Sequence, residues 1–111
     1  MTRIFFADES AQKEYEKLKN DTEFCDLYRH IQRAFSDIKI NPSACGIPIG
    51  KRLIPKEYLQ KYGIRNLFKY DLPGGWRLLY SIGKDGIEII AIILEWMNHK
   101  DYEKRFKYQT R

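Results

Sequence analysis

The sequence predicts a single α+β domain in the order β-α-α-β-β-β-α, with a twisted antiparallel sheet packed against two N-terminal helices and a short C-terminal helix. Three observations carry that expectation. Residues 24–38 repeat apolar side chains at helical spacing, and residues 65–97 read as strands separated by glycine-bearing turns. The 111 residues suffice for one hydrophobic core but not for two, so residues 1–111 form one domain.

Thr2 to Ala7 (TRIFFA) reads as the first strand, and Asp8 and Ser10 are cap residues for a short helix with Ala11, Tyr15 and Leu18 on one face. A second helix begins after Asn20-Asp21-Thr22. Its apolar face is Phe24, Leu27, Tyr28, Ile31, Phe35 and Ile38. Its polar side mixes Asp26, Arg29, His30, Arg33 and Asp37, the signature of a solvated face, so His30 is read as structural. Asn41 to Gly50 (NPSACGIPIG) breaks the helix, and Lys51 to Tyr62 is a basic connector with a helical turn at Pro55 to Leu59.

Three strands follow, Arg65 to Leu72, Trp76 to Ile82 and Ile87 to Met97, and the turns between them make an antiparallel meander. With Pro73-Gly74-Gly75 as the loop, Leu72 pairs with Trp76, Tyr70 with Leu78 and Phe68 with Tyr80, one face that meets the helices. The opposite face carries Arg65, Lys69, Asp71, Arg77 and Ser81, with Asp71 opposite Arg77 and Lys69 diagonal to it. Two readings fit that cluster: a functional cationic site, or an Asp71–Arg77 ion pair on a wet sheet face. The second turn admits a two-residue Asp85-Gly86 loop or a three-residue Lys84-Asp85-Gly86 loop, which pair the third strand differently. Ile89 to Leu94 is apolar on both faces and therefore belongs inside the sheet. Asn98 then caps a last helix from His99 to about Lys107, with His99, Tyr102 and Phe106 on one side.

Lysine and arginine outnumber aspartate and glutamate by 20 to 15, a net charge of +5 that favours polyanionic partners, nucleic acid first, and equally serves solubility. No apolar run reaches the roughly 18–20 residues that span a bilayer, and Met1 to Ser10 lacks the charged and apolar regions of a signal peptide, so a cytoplasmic protein is expected. Cys25 and Cys45 form no CxxC pair and have no histidine at metal spacing. Both are read as reduced structural thiols, with no metal and no cofactor expected.

The element order, together with "NLFKYDLPGGWRLLYSI" and "IILEWMNHKDYEKRF", resembles the RelE/ParE superfamily of type II toxin-antitoxin toxins. The specific part is the second half: the strand Trp76 to Tyr80 and the run His99 to Phe106. The resemblance implies a ribosome-dependent, metal-free endonuclease that cuts messenger RNA in the decoding site and is silenced by a cognate antitoxin. It also admits a non-catalytic gyrase inhibitor or a silenced member that only binds nucleic acid. Carried over residue by residue, Arg77 matches the family's strand arginine at the scissile phosphate, and its forked donors suit that task. His99 and Tyr102 lie where members carry their C-terminal acid or base, a tyrosine needing nearby cations to ionise. Lys69, Arg65 and Lys100 would neutralise phosphates, and Lys51 and Arg52 would make outlying RNA contacts. The family's best-understood nucleases carry two lysines on the strand before the arginine. Here Phe68 and Tyr70 flank Lys69, which leaves the base open.

Overall fold

Asp8 accepts the backbone N–H of Ala11 at 2.9 Å, and at that cap the chain turns from strand β1 (Arg3–Phe6) into helix α1 (Glu9–Lys19). The computed structural model describes residues 2–107. After α1 come α2 (Cys25–Ile40) and a one-turn α3 (Pro42–Cys45), then a two-residue strand β2 (Ile47–Pro48) and a 3₁₀ turn at Lys51–Leu53. Helix α4 (Lys56–Tyr62) leads to β3 (Phe68–Asp71), β4 (Arg77–Asp85), β5 (Glu88–Met97) and α5 (His99–Lys107). Among the described residues no helix is long and apolar enough to cross a membrane.

The five strands form one sheet in the order β1-β5-β4-β3-β2. Strand β1 runs parallel to β5, with Arg3 beside Ile90 and Phe6 beside Ile93, while the other pairs are antiparallel. The expected antiparallel sheet is therefore corrected to a mixed one. Its parallel pair depends on contacts between residues some 87 positions apart (90 minus 3), for which no local pattern in the sequence speaks.

On one face, Leu27, Ile31, Ala34 and Ile38 of α2 bury against Leu72, Leu78, Tyr80, Ala91 and Ile93. Each large aliphatic side chain so enclosed is worth about 1.5–3 kcal/mol over its exposed state. Phe68, Tyr70 and Trp76 join the same layer, so all the residues expected on the helix-facing side of the first hairpin lie there. That hairpin also has the expected register, Phe68 with Tyr80, Tyr70 with Leu78 and Asp71 with Arg77. Gly74 and Gly75 turn the chain at φ +79° and +81°, values that side chains avoid.

The other face, which one of the two readings made a wet surface around an Asp71–Arg77 ion pair, is largely covered. Ile54, Tyr58, Ile64 and Leu67 come across from the α4 region and, with Phe106 of α5, bury Leu79, Leu94 and Met97 in a second core. Ser81, only 2% exposed, gives its hydroxyl to Asn66 Oδ1 at 2.9 Å. Arg65 lies exposed in the loop before β3 rather than on the sheet. The strand residues between the charges, above all Leu79, explain the difference: a face that alternates polar with large apolar groups calls for a cover.

Strand β5 is an interior strand, as its two apolar faces required. Its hairpin with β4 uses neither expected loop. Asp85 pairs with Glu88, leaving Gly86 and Ile87 to turn, and Gly86 takes φ +64°. The register then slips once, between Leu79 with Glu95 and Tyr80 with Ile93. That bulge sends both Leu94 and Glu95 towards the α4–α5 layer and returns Trp96 to the α2 side.

Candidate functional site

At the end of β4 where the sheet meets α5, three chain segments converge. The first hairpin puts Asp71 beside Arg77, β5 ends at Met97 beside Arg77, and one residue later Asn98 caps α5 by accepting the N–H of Asp101 at 2.8 Å. His99 thus starts its helix directly above Arg77, with the Gly75 turn packed against it: a Cβ at Gly75 would sit 3.4 Å from that of His99.

Arg77 has only 17% of its side chain exposed. Its Nη2 lies 3.3 Å from His99 Nδ1, and its Nη1 donates to the Trp76 carbonyl at 3.3 Å. Nε lies 3.0 Å from Asp71 Oδ1 but is buried without an aligned hydrogen-bond partner, so the attraction there is Coulombic rather than directional. Lys69 reaches the same carboxylate oxygen at 3.4 Å. One anion shared by two cations leaves the trio with a net positive charge, the balance an anionic ligand meets.

Tyr102 closes the site from α5. Its ring lies 5.5 Å from the Arg77 guanidinium carbon and 5.6 Å from Lys69 Nζ, and it stacks on Phe106 at 4.4 Å. The stacking docks the helix, and the same ring faces the cations. Burial raises the Tyr102 hydroxyl above its usual pKa; Arg77 pulls it down and Asp71 pushes it up. The pull of Arg77 does not outweigh burial, so the condition for an ionised Tyr102, activation by nearby cations, is not met.

His99 points Nε2 at Glu103 Oε1, 2.9 Å away and one helical turn on. Glu103 did not stand out in the sequence, because a His/Glu pair four residues apart reads as an ordinary solvated helix face. The helix itself is held by Arg105, whose Nη1 donates to Glu95 Oε2 at 2.7 Å and to the Tyr58 hydroxyl at 3.0 Å. That network was also unread, since the bulge that aims Glu95 at α5 leaves no trace in the sequence.

The remaining basic residues spread outward. Lys100 is exposed beside His99, and Lys51 and Arg52 are exposed on the 3₁₀ turn. Next to that turn an open groove of about 450 Å³ runs between Ile47, Pro48, Leu53 and Phe106 to Lys69, Tyr102 and Glu103. Arg65 precedes β3 at the end remote from Asp71, so Lys69, Arg77, His99 and Tyr102 come together and Arg65 does not join them. Cys25 and Cys45 are both free thiols, Cys45 lying 3.6 Å from the Tyr80 hydroxyl. Among the described residues no group of three His, Cys, Asp or Glu is placed to hold a metal ion.

No model of a known protein family matches the chain, and neither a curated protein nor a solved structure does.

Proposed function

We propose that this domain is a toxin of the RelE/ParE type, a cytoplasmic, ribosome-dependent endonuclease that cleaves messenger RNA and is restrained by a cognate antitoxin. The observation that carries the reading is the meeting of Arg77, Lys69, His99 and Tyr102 at one end of the sheet, with Arg77 Nη2 3.3 Å from His99 Nδ1. RNA cleavage through the neighbouring 2′-hydroxyl needs a base for that hydroxyl, cations for the pentacovalent phosphate and an acid for the leaving oxygen. Each has a candidate here.

The guanidinium has only donors, so His99 Nδ1 faces it with a lone pair. When a phosphate draws the Arg77 donors to itself, that lone pair is released beside the ribose and takes the 2′-hydroxyl proton. The 2′-oxygen attacks phosphorus, and Arg77 and Lys69 hold the added negative charge. The P–O5′ bond breaks, leaving a 2′,3′-cyclic phosphate, and the protonated Tyr102 hydroxyl supplies the proton to O5′. Lys100, Lys51 and Arg52, all exposed, would add charge along the outward path of the RNA without touching the reacting atoms.

A second reading draws on Asp71, whose carboxylate already occupies the space between Lys69 and Arg77. In a non-catalytic inhibitor of gyrase, or a silenced member that only binds nucleic acid, that ion pair would be the whole purpose of Arg77. Inducible expression of the parent and of Arg77→Ala, with primer extension on abundant messages, separates the two. Growth arrest with new cuts inside translated frames, reduced on the order of 10²-fold or more in the variant, is expected. Arrest without cuts, undiminished in Arg77→Ala, would overturn the nuclease reading.

A further inference from the structure

We infer that Glu103 is a positioning residue, holding the His99 imidazole in the one tautomer and orientation that leaves Nδ1 free to act. The inference rests on the RNA-cleaving reading of the site and adds to it a residue outside the Arg77, Lys69, His99 and Tyr102 set.

Two contacts on opposite sides of the ring agree. Arg77 has no acceptor atom, so at 3.3 Å from its Nη2 the His99 Nδ1 must be the accepting nitrogen. In a neutral ring the proton then sits on Nε2, and Nε2 lies 2.9 Å from Glu103 Oε1, a carboxylate that only accepts. A ring protonated on Nδ1 instead would set a donor against a donor on one side and leave Glu103 facing a lone pair on the other. The helical spacing of four residues makes the contact local, so it survives motion of the loops around it. His99 has 59% of its side chain exposed, so without Glu103 the Arg77 contact alone would have to hold the ring. Glu103 also lines the groove that leads to Lys69 and Tyr102, so its free oxygen borders the route by which RNA would enter. A carboxylate that fixes one histidine nitrogen so that the other can take a proton is a recurrent arrangement in acid-base catalysis.

The test uses the full chain and the variants Glu103→Gln, Glu103→Ala and His99→Ala. The chain has 2 histidines, so ¹⁵N imidazole spectra can be assigned by loss of one set in His99→Ala. With the ring neutral, the parent is expected to show the Nε2–H form at His99, kept in Glu103→Gln, whose amide oxygen still accepts, and mixed with the other form in Glu103→Ala. On a ribosome-bound message, kcat is expected to fall about 10-fold or more in Glu103→Ala with KM unchanged, and to recover in large part in Glu103→Gln. A parent that holds the Nδ1–H form, or a Glu103→Ala protein whose tautomer and kcat both match the parent, would overturn the inference. So would a fall in kcat with no change in tautomer. If the parent cleaved no message at all, the nuclease reading would fall, while the imidazole spectra would still decide whether Glu103 sets the tautomer.

Discussion

Tyr102→Phe removes an oxygen and keeps a ring, which separates the two roles that this side chain holds. The stacking on Phe106 and the approach of Arg77 and Lys69 belong to the ring, so stability should change by less than about 1 kcal/mol. In the proposed reaction the proton for the leaving oxygen belongs to the hydroxyl. Cleavage should therefore fall by about 10²-fold or more while the urea midpoint stays in place, measured by single-turnover rates beside equilibrium unfolding. A rate unchanged by the substitution would move the acid elsewhere. Arg77 could be read from the sequence because strand alternation fixes its side of the sheet, and His99 because a cap residue and an interior strand fix where α5 begins. Glu103 could not, because its contact resembles any exposed pair on a helix. Nor could the direction of the Tyr102 shift, which depends on how much of the second core closes over it.

Asn66 is the residue through which one element depends on another. From the loop before β3, its amide donates to the Ile82 carbonyl at 2.9 Å, while its oxygen accepts from the Ile82 N–H at 2.7 Å and the Ser81 hydroxyl at 2.9 Å. Asn66→Ala leaves a strand N–H and a buried hydroxyl unpaired, which should cost about 2 kcal/mol or more in denaturant unfolding. A loss below about 0.5 kcal/mol would mean that both groups find other partners. The tie matters for the site because it anchors β4, the strand that carries Arg77. At this scale the first hairpin, the caps at Asp8 and Asn98 and the core face of α2 were legible, since each is written in residues close together in sequence. The second core, the short strand β2, the bulge at Leu94 and the parallel seat of β1 were not, since each depends on segments that meet only after folding.

The whole molecule carries a response to alkali that follows from its tyrosines. Burial lifts Tyr15, Tyr58 and Tyr80 well above the usual tyrosine range, and it lifts Tyr70, whose hydroxyl donates to Asp37, to about 12. Between the unfolded pKa of about 10 and these higher values the folded chain binds more protons than the unfolded one. Stability is then fully present below pH ~10 and declines as the pH rises past it. Unfolding midpoints taken across that range should fall together with a late rise in tyrosinate absorbance. Full tyrosinate absorbance from all 8 tyrosines near pH 10 in a chain still folded would contradict the burial. The positive balance of charge, by contrast, was plain from composition, although only the folded chain gathers part of it beside His99.

The seat of β1 also sets the order in which the molecule comes into being. Residues 3–6 are made early and must wait for residues 90–93 before they have a neighbour to join. His99 and Tyr102 come later still. A chain whose synthesis stops before residue 90 has an unclosed sheet and lacks both His99 and Tyr102, so on the proposed reading a nascent fragment has no cleaving site. If the domain is the nuclease proposed here, translation completes the agent that attacks it, and each interrupted round of its own synthesis yields one fewer.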